Sequence, residues 1–144
     1  MGKKRIIKKS GSSQDLGLKS RALAKVTKKK IVSGKLYVEA TYNNTKVSLT
    51  DKAGNVIIWS SCGALGFKGA KKGTPFAAAK VGELVGEKAA MAGVKDVDVV
   101  ITGVGSGRES AVRSFIAHGI EVNSIEDRTP VAHNGPKPKN PRRI

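Results

Sequence analysis

The distribution of charge limits what this chain can fold into more than any other feature. Residues 1–34 carry eleven lysines and arginines against a single acid, Asp15, and residues 128–144 carry five against none. The 93 residues between them hold eleven bases and ten acids and are almost neutral. Only that middle part can collapse without strong self-repulsion, and its length suits one ordinary domain. The chain therefore divides into a basic arm (1–34), a core (35–127) and a basic, proline-rich tail (128–144). Neither flank carries enough apolar surface to offset its ordering entropy, so each is expected to take its shape on a partner.

Within the core, Leu36, Val38, Ala40 and Tyr42 alternate with Tyr37, Glu39 and Thr41, the period of a half-buried strand. Asn43-Asn44 can adopt the positive φ of a tight hairpin turn, after which Val47 and Leu49 alternate with Lys46, Ser48 and Thr50. Residues 51–55 supply the next turn, and Val56, Ile57, Ile58 and Trp59 form a third strand. Thr74-Pro75 marks a helix start, with threonine as cap and proline at the first helical position. That helix is expected to run to Met91, stop at Gly93 and bury Ala77, Val81, Leu84 and Val85. Gly82 and Gly86 inside it imply close approach of its backbone to the sheet. Val97, Val99, Val100 and Ile101 read as a central strand, residues 108–118 as a short helix and 121–125 as an edge strand. The order β-β-β-α-β-α-β implies an α/β fold: a mixed five-stranded sheet packed with helices, carrying basic N- and C-terminal extensions.

With 27 basic residues against 11 acidic and a formal charge of +16, the chain needs a polyanion or an acidic surface as partner, and nucleic acid leads. A disulfide scaffold is excluded because Cys62 is the only cysteine, and with two widely separated histidines it offers no metal-binding spacing. No apolar run is long enough for a membrane span or a signal peptide, so a cytoplasmic protein with no membrane partner is expected. No cofactor, metal or catalytic residue is assigned: Glu39, Asp51, Glu83, Glu87, Asp96 and Asp98 share no spacing that would gather them. Low aromatic content favours recognition of phosphates and RNA shape over base readout, although Trp59 and Phe67 could stack if they are not core.

Two stretches look built for phosphate. Residues 63–73 set Lys68, Lys71 and Lys72 among four glycines and end at a helix N-terminus, where backbone N–H groups and the helix dipole favour anions. A flexible surface loop is the plainer alternative. Gly103-Val104-Gly105-Ser106-Gly107-Arg108 follows a strand and opens a helix, but its spacing is wrong for a dinucleotide fingerprint. With Ser110 and Arg113 beside it, it reads as a second phosphate-binding corner. The arm (Lys3, Lys4, Arg5) and the tail (Arg128, Lys137, Lys139, Arg142, Arg143) are expected to neutralise phosphates, or else merely to aid solubility. A free-standing RNA chaperone and a small nucleic-acid-processing enzyme remain rival readings.

Asn43-Asn44-Thr45, Gly66-Phe67-Lys68-Gly69, Thr74-Pro75-Phe76-Ala77-Ala78, Gly107-Arg108-Glu109-Ser110, and Thr129-Pro130 followed by His133-Asn134-Gly135 occur in the order and spacing of a known family. Over residues 35–144 the chain resembles the bacterial small-subunit ribosomal protein eleven family. The resemblance implies a ribonuclease-H-like fold without nuclease activity, on the platform of the small subunit near the messenger-RNA exit and Shine–Dalgarno region. It implies small-subunit ribosomal RNA as partner, small-subunit proteins six, seven and eighteen as neighbours, messenger RNA nearby and no homo-oligomer. The expected RNA-facing residues are Lys3, Lys4, Arg5, Asn43, Asn44, Lys46, Phe67, Lys68, Lys71, Lys72, Thr74, Arg108, Ser110, Arg113, Arg128, His133, Asn134, Lys137, Lys139, Arg142 and Arg143. Val104, Ser106 and Ala132 stand where the family usually has proline.

Overall fold

Period-two alternation builds β1 (Ser33–Ala40), whose Leu36, Val38 and Ala40 are buried, in the computed structural model, which describes residues 30–140. Lys3, Lys4, Arg5, Arg142 and Arg143 lie outside the described residues. β2 (Thr45–Thr50) and β3 (Val56–Ser61) complete an antiparallel meander, and β4 (Asp96–Thr102) and β5 (Glu121–Asp127) add parallel to β1. The sheet order is β3-β2-β1-β4-β5, and its register sets Leu36 between Leu49 and Val99, and Val38 between Val47 and Ile101. A five-stranded mixed sheet is thus confirmed, with β4 an interior strand and β5 an edge.

Helix α1 (Pro75–Ala92) begins where Thr74 Oγ1 accepts the Ala77 N–H at 3.3 Å and stops at Gly93 in the left-handed conformation. Helix α2 (Gly107–Ile116) follows β4. Both crossovers, β3 to β4 through α1 and β4 to β5 through α2, step the same way across the sheet. A common right hand therefore lays both helices on one face. α1 packs on β2 and β3, α2 on β1, β2 and β4, and the helices pack on each other. The core between them contains Val81, Val85, Val97 and Phe115, each fully buried; such burial contributes about 1.5–3 kcal/mol per large side chain.

Four expectations are corrected. Gly82 and Gly86 face the second helix rather than the sheet: a Cβ on Gly82 would lie 2.2 Å from the Ala111 carbonyl oxygen, and one on Gly86 2.5 Å from the His118 ring. Tyr42 does not continue β1. It is exposed in a turn closed by Thr41, whose N–H and Oγ1 both donate to the Asn44 carbonyl. That side-chain closure makes positive φ unnecessary, and neither Asn43 nor Asn44 has it. Thr50 is buried beside Leu49, because the β2–β3 register shifts between them. Of the two readings left open for Trp59, the exposed one holds: it stands 63% exposed on the uncovered face of the sheet.

Candidate nucleic-acid interface

The four parallel strands β1, β3, β4 and β5 end on the same side of the sheet, so everything that follows them gathers there. The 41–44 turn, the 62–73 loop, the 103–106 corner, both helix N-termini and the start of the tail share that end, where open α/β sheets generally bind ligands. They are knit together by backbone contacts. A Cβ on Gly73 or Gly105 would lie 2.3 Å from the carbonyl oxygen of Tyr42 or Thr41, so both loops press on the turn. The Gly105 N–H donates to the Ala40 carbonyl at 2.8 Å, the Cys62 N–H to the Thr45 carbonyl at 3.0 Å, and the Arg128 N–H to the Ile101 carbonyl at 2.9 Å. Ser106, in a place where the family resemblance expects proline, donates its hydroxyl to the Gly73 carbonyl at 2.8 Å, linking the two glycine-rich segments.

Lys68, Lys71 and Lys72 immediately precede α1, the first two exposed and the third half-buried, and none has an ion-pair partner among the described residues. No acid occurs from Ser61 to Gly82. The loop itself is more ordered than a free glycine-lysine segment: residues Gly69–Gly73 form a 3-10 turn, and Thr74 Oγ1 donates to the Lys71 carbonyl at 2.7 Å while it caps α1. The Thr74 hydroxyl is therefore engaged by the protein. Phe67 leans into the core and meets Phe76 edge to face, with ring centroids 6.2 Å apart. Phe76, absent from the expected contact residues, is 65% exposed with the Lys80 ammonium 5.9 Å from its ring centroid. Its place one residue ahead of the buried stripe that starts at Ala77 is the sequence signal for that exposure.

The second corner is built differently from what its residues suggested. Arg108 donates to the Gly103 carbonyl at 2.8 Å and forms an ion pair with Asp127 at the end of β5. Asp127 also accepts the Thr129 hydroxyl and N–H, and Gly103 N–H donates to Thr129 Oγ1 at 3.2 Å. The Thr129 contacts, then Arg108, hold the Asp127 carboxyl down to about 2. Arg108 thus clamps the corner to β5. Ser110 turns its hydroxyl to the Gly107 carbonyl, Arg113 pairs with Glu109, Arg128 with Glu126, and Lys46 with Glu39 on the open sheet face. Asn43, Asn44 and the tail residues His133, Asn134, Lys137 and Lys139 carry no such ties beyond the backbone of the turn; all but the half-buried Asn44 are exposed, and the tail to residue 140 has neither helix nor strand. Cys62 is buried, and desolvation pushes its thiol up.

The described residues thus present unpaired lysines ahead of a helix N-terminus, an exposed aromatic and a polar turn on one rim of the sheet. No group of three or more metal-ligating side chains gathers anywhere among the described residues. Compared with known protein families, residues 34–143 match the family model of ribosomal protein S11.

Proposed function

The chain belongs to the ribosomal protein S11 family, and from that premise we propose that it is seated on the platform of the small subunit by its strand-end rim. As a family member it is a structural, non-enzymatic constituent of the ribosome that binds ribosomal RNA within the small subunit and acts in translation. Ribosomal proteins are its neighbours there. The observation that carries the finer reading is the group of three unpaired lysines, Lys68, Lys71 and Lys72, in an acid-free stretch around the capped start of α1. The N-terminus of a helix favours anions, and three lysines just ahead of it in the chain add the positive charge that suits RNA phosphates.

On this reading the lysines hold phosphates, Asn43 and Asn44 enter a groove as a polar fingertip, and Phe76 stacks on or against an unpaired base. Arg108 acts at one remove by fixing the corner, and Arg113, Arg128 and Lys46, each neutralised by a carboxylate, contribute less. Lys137 and Lys139, with Arg142 and Arg143 beyond them and Lys3, Lys4 and Arg5 at the other end, thread between RNA helices. The bacterial type, the ribonuclease-H-like reading of the β3-β2-β1-β4-β5 order, the nearness of proteins six, seven and eighteen, and the place by the messenger-RNA exit belong to the same proposal. Binding of the full chain to small-subunit ribosomal RNA across a salt series tests it. Replacing Lys68, Lys71 and Lys72 together by glutamine should make the log–log slope shallower by up to about 0.9 per lost phosphate contact. Lys46→Gln should leave it nearly unchanged. Equal slopes for the triple variant and the parent would remove the loop from the interface.

A further inference from the structure

The core face of the sheet is incomplete at one edge. α1 and α2 cover β1 to β4, yet Ile125, opposite Val99 on β5, stays 61% exposed. Beside it runs an open groove of about 430 Å³, floored by Ile101, Val112, Ile116 and Ile125 and lipped by arginines and a glutamate of α2. β5 is the last strand of the sheet, and no strand lies along its outer side among the described residues.

The charge of this edge opposes that of the rest of the chain. From Asp96 to Asp127 there are six of the chain's eleven acids against two arginines, a net charge of −4 in a protein of +16. Even with Lys95 and Arg128 at its ends, the unit is negative. Both arginines are already paired, Arg108 with Asp127 and Arg113 with Glu109, while Glu121 on β5 has no cationic partner among the described residues; Asp96 and Asp98, on the neighbouring β4, lack one too and accept hydrogen bonds from Asn123 and Ser124 of β5. Such an edge repels phosphates. It also repels a second copy of itself, since pairing two β5 edges would set acid against acid.

We propose that the β5 edge and its groove are a docking site for an extended, lysine- or arginine-rich segment of another protein, which adds a strand beside β5. Main-chain hydrogen bonds would give it affinity, and apolar side chains at alternate positions would fill the groove while its cations, on the other face of the added strand, meet Glu121 of β5. This inference does not depend on which surface holds RNA.

The test uses the full isotope-labelled chain freed of nucleic acid, with a short synthetic peptide alternating lysine and isoleucine, its glutamate counterpart, and oligouridine. The lysine peptide should shift the amides of β5 and α2, and the glutamate peptide should not. Ile125→Ser, at an exposed position that leaves the fold intact, should weaken binding about tenfold. Glu121→Gln should weaken it about two- to threefold and flatten its salt dependence. The proposal is overturned by equal response to the two peptides, by shifts confined to the strand-end loops or the open sheet face, by no response, or by oligouridine occupying β5 in place of the peptide.

Discussion

Replacing Gly82 by alanine sets two opposed effects against each other. In an isolated helix the change would favour folding by about 1 kcal/mol, because glycine is the costlier residue in a helix interior. Here the new Cβ would sit 2.2 Å from the Ala111 carbonyl oxygen and 3.0 Å from its carbon, both backbone atoms of α2. No rotamer relieves that contact, so the helices must separate, and overpacking of this kind costs about 1–3 kcal/mol or more. Separation also loosens the contacts of Ala78, Val81 and Phe115, all fully buried. With two backbone atoms in the way the cost lies at the upper end of that range, so Gly82→Ala should destabilise the protein by about 2 kcal/mol net once the helix-propensity gain is subtracted. Gly93→Ala is the control: its φ of +84 makes alanine strained, but nothing lies within 4 Å of the new Cβ, so only the backbone cost of about 1–2 kcal/mol applies. Urea unfolding of the full chain, with m-values compared to establish two-state behaviour, measures both. A Gly82→Ala variant as stable as the parent, or more so, would refute the helix–helix contact as the reason for that glycine.

Three further outcomes are expected. The Asp127 carboxyl should titrate near 2 by NMR, and it should rise both in Thr129→Val, which loses the hydroxyl contact, and in Arg108→Ala, which loses the ion pair. Because the folded value lies below the ordinary 3.8, its stabilisation is complete above that pH and is lost as pH falls towards 2; a parent midpoint near 3.8 would contradict the clamp. Thr74→Ala removes the α1 cap and should cost about 1 kcal/mol in the same urea assay, whereas an unchanged midpoint would show the cap to be idle. Asn134-Gly135, with Asn134 already at a φ of 54, should accumulate isoaspartate on incubation at neutral pH; peptide mapping that finds asparagine alone would reject this.

Much of this fold was legible because its signals are local. Alternation at Leu36, Val38 and Ala40, the Thr74-Pro75 start and the Gly93 stop each depend on neighbours a few residues away. The parts that could not be read depend on distant partners. Gly82 announced a close approach, but nothing in α1 says whether a strand or a helix approaches. Arg108 looked available for phosphate, and only the fold brings Asp127, 19 residues on, to its guanidinium. Tyr42 extended the apolar alternation by one step, yet the Thr41 hydroxyl closed the turn first. The same limit hid the exposed Ile125: its strand was expected, but its lack of cover follows from how far α2 reaches across the sheet. For the candidate interface, the lysine loop was visible in its composition, while its proximity to the 41–44 turn and the 103–106 corner emerged from the shared strand ends.

Crosslinking of the tagged protein to RNA in cells, followed by sequencing of the attached RNA, tests the central claim most directly. The account predicts crosslinks concentrated in the platform region of small-subunit ribosomal RNA, with peptides carrying Lys68, Lys71 and Lys72 among the attachment points. Crosslinks scattered over many messages, with no concentration on ribosomal RNA, would contradict it.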